Sequence, residues 1–342
     1  MSHHPGPVWS GPRRFLEGRG EVLAHDPGTG ENRYQEALEW LRASGREVGF
    51  ASFTFDPTAR GSVVLAPERV RDTPTMTDEG IPPGVMVGDG RDEWSAGFDS
   101  ALAALNESKV EKVVLSRQAR IEFARPVNPR SVLARLLADN PSTYSFLIEG
   151  LVGASPELLV SLDRERVSSL VLAGTSPEAE GLVNAKTTIE HDLAAGSVES
   201  GLRRHTTGLV AERSVLRFGE INHMGTSFSA RALPGTGVLD VLASLHPTAA
   251  VAGAPTTTAL DLIRSIEPLS RDRYAGPLGW FDSEGNGEFT LALRCGLIEG
   301  TRVTLYSGGG LVAGSDRDEE WAETRLKLGP MWAALGLDPL DG

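Results

Sequence analysis

Apolar residues recur along this chain at two periods, and the switching between them marks out the elements. A spacing of three to four residues predicts helices over Tyr34–Ala43, with Leu38 and Leu41 inward, and over Glu93–Asn106, with Trp94, Phe98, Leu102 and Leu105 on one stripe. Further helices are expected at Ser131–Ala138, Ile189–Leu216 (Leu193, Leu202, Leu209 and Leu216 inward), Val238–Leu245 and Thr256–Ile266. A last helix carries Trp321, Leu328 and Trp332, and Pro330 is expected to stop or kink it, because proline cannot supply the N–H owed to Leu326. Short β-branched and aromatic runs predict strands at Glu47–Phe55, Gly61–Ala66, Val110–Phe123, Tyr144–Glu149, Leu158–Leu162, Arg166–Leu172, Tyr274–Trp280, Glu288–Ile298 and Val303–Tyr306. Within Val110–Phe123, Val113 and Leu115 point one way and Val114 the other. Strands that follow one another without helices favour antiparallel pairing. The expected class is α+β: antiparallel sheets with flanking helices in a single large domain. Residues 1–95 form an N-terminal α+β portion, Pro74–Gly90 the internal boundary, residues 96–336 the main body and 337–342 a tail.

Composition narrows the choice of partners. The 342 residues are 40% hydrophobic and 23% charged, ordinary for a soluble globular protein. The formal net charge of -13 argues against nucleic acid, whose phosphates call for a basic surface. A small anionic ligand would need a locally positive site, made by lysine, arginine or a bound cation. Cys295 is the single cysteine, so no internal disulfide or cysteine-based zinc site is possible. No apolar run approaches the ~20 residues of a membrane span. The first residues, Met1-Ser-His-His-Pro-Gly-Pro, lack the basic and apolar segments of a signal peptide. A cytoplasmic monomer is expected.

Several polar residues stand where an apolar pattern does not ask for them. Lys112 lies in a strand before Val113-Val114-Leu115, on a solvated face or pointing into a cavity; burial would make it a usable base. Glu157 ends a Gly-Ala-Ser-Pro turn and enters Leu158-Leu159; it is an edge glutamate or, with a pKa raised by burial, a general acid. Glu190, before His191, either caps a helix or supplies a carboxylate to a cation. His246, in Leu-His-Pro-Thr, ends a helix. Arg294 sits in an apolar strand and needs a partner, for which a ligand carboxylate would serve. Tyr306 on the next strand could add a hydroxyl. Gly308, Gly309 and Gly310 match no nucleotide-binding pattern but let backbone N–H groups approach an anion. Glu320, Glu323 and Lys327 share one helical stripe, with Glu320 about 80–120° around from the apolar face. They form an exposed salt-bridge pattern or two oxygen donors for a hard cation such as Mg²⁺, which needs only one or two carboxylates beside substrate and water.

Taken in order, these stretches resemble the chorismate-binding enzymes: isochorismate, salicylate, anthranilate and aminodeoxychorismate synthases. The resemblance covers residues 96 to 336. It rests on Lys112–Arg117, Gly153–Leu159, Leu172-Ala173-Gly174-Thr175, Glu190-His191, Leu245–Thr248, Ile266-Glu267-Pro268, Tyr274-Ala275-Gly276, Arg294, Ser307–Val312 and Glu320 through Lys327. It implies chorismate as substrate and Mg²⁺ as cofactor, held by Glu190, Glu320 and Glu323. It implies Lys112 as the base that activates water and Glu157 as the acid. Ala173, Gly174, Thr175, His246, Arg294, Tyr306, Gly308, Gly309, Gly310 and Lys327 would form the substrate side. The anthranilate branch usually has glutamine where this chain has Lys112, and the aminodeoxychorismate branch a lysine where it has Ala173. The water-using branch is therefore expected, without a glutamine amidotransferase partner. Within that branch an isochorismate synthase is expected; a salicylate synthase, or an inactive chorismate- or metal-binding partner protein, are the alternatives.

Overall fold

The structure, a computed structural model, describes residues 6–73, 76–176, 182, 185–218 and 221–337. Pro74, at the expected boundary, and most of the expected tail lie outside the described residues. Among the described residues, seventeen strands join in one antiparallel sheet, whose order follows from the register pairs. At one end, β5 (Gly84–Gly88) pairs with β6 (Lys112–Phe123). The ribbon continues through β17 (Arg302–Leu311), β16 (Cys295–Glu299), β8 (Leu151–Ser155) and β7 (Tyr144–Ile148). It then crosses β1 (Val8–Gly11), β2 (Arg14–His25), β4 (Val63–Arg71) and β3 (Val48–Ser52). It closes through β14 (Pro277–Asp282), β15 (Gly287–Leu291), β9 (Leu158–Asp163), β10 (Arg166–Ser176), β12 (Ile221–Ala232) and β11 (Thr206–Phe218). A two-residue strand, β13 (Gly253–Ala254), pairs with the start of β6. A sheet of this width must twist and curl. The curl brings β6 and β17, near one end of the ribbon, to face β10, near the other.

Seven helices lie against the described sheet: α1 (Arg33–Ser44), α2 (Arg91–Asn106), α3 (Pro129–Asp139), α4 (Ala185–Arg203), α5 (Val238–Leu245), α6 (Thr256–Ile266) and α7 (Arg317–Leu335). Their ends obey local rules. The Asn128 side chain caps α3 by accepting from Arg130 N–H, with Pro129 at the first helical position, where its missing N–H costs nothing. Asp316 caps α7, accepting from the N–H groups of Asp318 and Glu319, and Gly336 ends that helix in the left-handed region at φ 66°.

The fold corrects four expectations. The stretch Ile189–Leu216 is not one helix: α4 ends at Arg203, and Thr206–Phe218 is a strand. Leu209 and Leu216 continue a seven-residue spacing, yet that segment is rich in β-branched residues and half of its apolar residues face solvent on an edge hairpin. The run Glu288–Ile298 breaks at Ala292–Arg294, where Arg294 takes φ 49°. Pro330 does not stop α7, which runs on to Leu335 while Leu328, Met331, Trp332 and Leu335 pack into the smaller of two apolar cores. The cost of one lost backbone bond is offset by that burial. Lastly, the turn expected over Gly153–Pro156 is strand as far as Ser155: β8 is buried along its whole length between β7 and β16.

Candidate active site

Where the curled ends of the sheet face one another, a cleft of ≈ 610 Å³ opens. One wall is β6 and β17. Gly310 pairs with Val114 and Gly308 with Ser116, and Val114, Gly308 and Gly310 all line the cleft. Alternation puts Lys112 on the same face as Val114. Lys112 is fully buried, and its Nζ lies 3.2 Å from Glu190 Oε1 of α4, which reaches the cleft wall. The two are an ion pair by distance, but Nζ makes no bond of hydrogen-bond geometry among the described residues. Gly310 is what admits the pair: a Cβ there would sit 2.2 Å from Glu190 Oε1 and 2.8 Å from Lys112 Cε.

Glu157 stands on the facing wall, between β8 and β9. Pro156 and Glu157 line the cleft, and Glu157 is 4% exposed. Burial pushes its carboxyl up to about 8; the N–H of Leu172 and the charges of Lys112, Arg294 and Lys327 work against that rise without cancelling it. At neutral pH the group therefore holds its proton, as a general acid must. Beside it, β10 bulges between Ala173 and Thr175. Gly174 takes φ 77° there, and a Cβ would lie 2.2 Å from Thr187 Cγ2 of α4, so only glycine allows the helix that carries Glu190 to come this close. Ala173 and Gly174 line the cleft; the Thr175 side chain lies outside what is described. His191 turns away from Glu190 and is buried, with its Nε2 2.7 Å from Thr226 Oγ1 of β12.

The floor carries positive charge. Arg294, turned by its positive φ, lines the cleft beside Tyr274. Burial lowers the guanidinium's hold on its proton, while Tyr274, Glu323 and Glu157 strengthen it. Lys327 of α7 also lines the cleft; its Nζ donates to Gly308 O at 3.0 Å and lies 2.5 Å from Glu323 Oε1. Glu320 is placed differently. It is 2% exposed, accepts from Ser315 Oγ at 2.8 Å, and packs behind Gly309, on the face of β17 away from Gly308 and Gly310.

Two further expected residues stand off the cleft wall. His246 is buried at the end of α5, its Nε2 3.0 Å from the carbonyl oxygen of Phe55. Tyr306 stacks on Tyr274, with centroids 5.2 Å apart and planes 11° from parallel, one layer behind the surface. Conversely, the cleft has walls that sequence reasoning passed over. His223 of β12 lines it, and burial with the Arg294 and Lys327 charges drops its pKa to about 3, so it is neutral. Val114, Leu172, Ala250, Val251 and Leu293 supply an apolar lining. The signal for His223 was weak, a lone histidine in a segment not recognised as a strand.

The donors for a cation are all carboxylate oxygens, which suits a hard ion. Among the described residues, no three of His, Cys, Asp and Glu stand close enough together to hold a metal ion. Glu190 and Glu323 instead face lysines. The set thus fits Mg²⁺ as an ion that takes one or two protein carboxylates and completes its shell with water and ligand, and does not fit a closed protein cage.

A buried neutral carboxyl, a buried lysine and a cationic floor surround one small cleft. The chain belongs to the family described as "Chorismate binding enzyme", whose model matches residues 87–336. Among its relatives is the isochorismate synthase MenF of Bacillus subtilis, 35% identical over 72% of this chain and 56% of that protein. The isochorismate synthase EntC of Escherichia coli is 35% identical over 69% of this chain and 65% of its own length. The chain thus spans well under the full length of both. The isochorismate synthase DhbC of Bacillus subtilis matches end to end, 30% identical over 98% of this chain and 95% of that one. The crystal structure of DhbC from Bacillus anthracis superposes with a TM-score of 0.88 at 27% identity, covering 97% of this chain and 96% of that chain. No helix among the described residues is long and apolar enough to cross a membrane.

Proposed function

We infer that this chain is an isochorismate synthase, using Mg²⁺ and no ammonia-supplying partner. The observation that carries the reading is the Glu157 carboxyl, held protonated to about pH 8 in the same cleft that Arg294 and Lys327 line. Its relatives' names supply the substrate class. Arg294 draws a carboxylate of chorismate into the cleft, against the field of a chain with net charge -13, and Lys327, already paired with Glu323, adds an N–H donor beside it. Lys112 removes a proton from water, whose oxygen bonds to ring C2. Glu157 gives its proton to the C4 hydroxyl, which leaves as water while the double bonds shift. One water is taken up and one released, so the product is an isomer of the substrate. Val114, Leu172 and Leu293 line the cleft with apolar surface, which limits bulk water and strengthens each of these charge interactions. Mg²⁺, when bound by Glu190 and Glu323 directly or through water, would neutralise the ring carboxylate; Glu320, behind Gly309, stands outside that set.

The test is incubation of the purified chain with chorismate and Mg²⁺, with and without EDTA. Isochorismate as the one product supports the reading. Salicylate plus pyruvate would move the chain to the salicylate synthases. No turnover, with EDTA making no difference, would leave a binding protein.

A further inference from the structure

β6 separates two cavities. Val114 faces the cleft, while Leu115 and Ser116 line a second cavity of ≈ 350 Å³ with Trp94, Arg117 and Leu269. One ion pair forms part of both walls: Glu267 lines the second cavity and Arg271 lines the cleft. Their side chains are 6% and 3% exposed, joined by Arg271 Nη2 to Glu267 Oε1 at 2.5 Å and Nε to Oε2 at 2.8 Å. The pair does more than satisfy itself. Arg271 Nη1 donates to Val251 O at 2.8 Å, and Nη2 to Val114 O at 2.7 Å. Glu267 Oε1 also accepts the N–H of Ser116 at 2.7 Å. The guanidinium lies 4.2 Å over the ring of Phe55.

These four bonds occupy four of the five N–H groups of Arg271. Its charge is balanced by Glu267, so a substrate carboxylate finds neither a free fork nor a net charge there. That separates Arg271 from Arg294 on the same cleft. What Arg271 does hold is backbone. Val114 is two residues from Lys112 on one strand, and Val251 belongs to the wall segment that runs on to β13, where Ala254 pairs with Lys112. A buried bidentate pair is rigid, because each partner's fork fixes the other.

We propose that Glu267, acting through Arg271, is a positioning residue that fixes the strand carrying Lys112 against the Ala250–Val251 wall, and that Arg271 is a strut and not a carboxylate clamp. The kinetic side of this rests on the isochorismate synthase reading; the structural side does not.

The test uses the full chain with Glu267→Gln, Arg271→Lys and Arg271→Met, read in two ways. Amide hydrogen exchange is expected to quicken about tenfold or more in peptides covering 112–118 and 248–254, and to stay unchanged over 158–172. With chorismate and Mg²⁺, kcat is expected to fall about 10–100-fold at a KM within about threefold, because a sub-ångström shift of Lys112 alters reactivity more than binding. Arg271→Lys should keep more of kcat than Arg271→Met. Unchanged exchange over 112–118 in Glu267→Gln and Arg271→Lys overturns the strut. A KM raised about tenfold at constant kcat in Arg271→Lys makes Arg271 a clamp and overturns it too. A wild-type chain that turns over no chorismate sinks the reading of the activity, and the exchange result alone then decides the strut. Should Arg271→Met fail to fold, the Glu267→Gln variant, which keeps size and shape, and the Arg271→Lys variant, which keeps the charge, carry both readouts.

Discussion

Glu17 and Glu157 are both carboxylates buried in one sheet, and their surroundings differ in kind. Glu17, on β2, is fully buried, with Arg130 and Arg19 at 2.5 and 2.9 Å from Oε1 and Arg71 at 3.9 Å from Oε2. Arg130 also donates to Gly6 O, so the cluster ties α3 to the chain's first described residue. Glu157 has the Leu172 N–H and only longer-range cations, and its carboxyl rises to about 8. Guanidinium groups at hydrogen-bond distance keep a buried charge and spend it on structure. Cations that act on Glu157 only through their field leave burial to decide, and the group keeps its proton for use. The comparison predicts that changes in the cleft alter chemistry and changes at Glu17 alter stability.

The largest expected effect is at Lys112. Lys112→Gln should lower isochorismate formation by about 10³–10⁴-fold while chorismate still binds, measured by product formation and by calorimetric titration. Normal turnover would remove Lys112 as the base and with it half of the contrast. Glu157→Gln should cost about 10²–10³-fold near pH 7. Its pH profile is the sharper measurement. Wild-type kcat/KM should fall as pH rises through about 8, where Glu157 loses its proton, and the variant should lack that limb. Stability carries the same sign. A carboxyl whose folded pKa lies above the ordinary 4.5 stabilises fully below that value and loses the contribution as pH climbs to about 8.

Gly310→Ala comes next. The added Cβ would meet Glu190 Oε1 at 2.2 Å, so the Lys112–Glu190 pair has to separate or β17 has to move. Overpacking of this kind costs about 1–3 kcal/mol. We expect turnover to drop roughly 10–100-fold, a misplacement effect, with a raised Mg²⁺ requirement. Turnover and Mg²⁺ dependence equal to wild type would mean that Glu190 does not work from this position.

The cleft was more legible in the sequence than the sheet around it, for a physical reason. Lys112, Glu157 and Arg294 are charged residues in apolar surroundings, and a single residue of that kind announces a cost that something must offset. The α7 stripe was readable for the same reason, although the structure divides it, with Lys327 at the cleft and Glu320 behind Gly309. His223 carries no such signal, because its strand was not recognised. The β11–β12 hairpin was lost to a leucine spacing that helix and strand both tolerate, and edge strands exposed on both faces lack the alternation that marks buried ones. The strands β1 and β2 escaped because β1 has only four residues and β2 is interrupted by glycines and charged residues, and both become strands through their partners, β7 and β4. The meeting of β6 with β10 depends on the curl of the whole ribbon, which no local pattern encodes.

The smallest expected effect on catalysis, and the strictest check on the contrast, is Glu17→Gln. The amide keeps the size of the side chain and can still accept one hydrogen bond, but it leaves Arg130 and Arg19 without a counter-charge at a buried site. Removing one partner of such a cluster costs about 3–5 kcal/mol when the pair is fully buried, and less here because Arg19 is 43% exposed and Arg130 22%. About 2 kcal/mol is the expected loss, read as a lower midpoint in urea at constant slope. Below that midpoint kcat and KM should match wild type, because nothing in the cluster reaches the cleft. A variant with unchanged stability would show that the arginines tolerate a neutral centre. One whose pH limb near 8 shifts would show that Glu17 and Glu157 belong to a single electrostatic network after all.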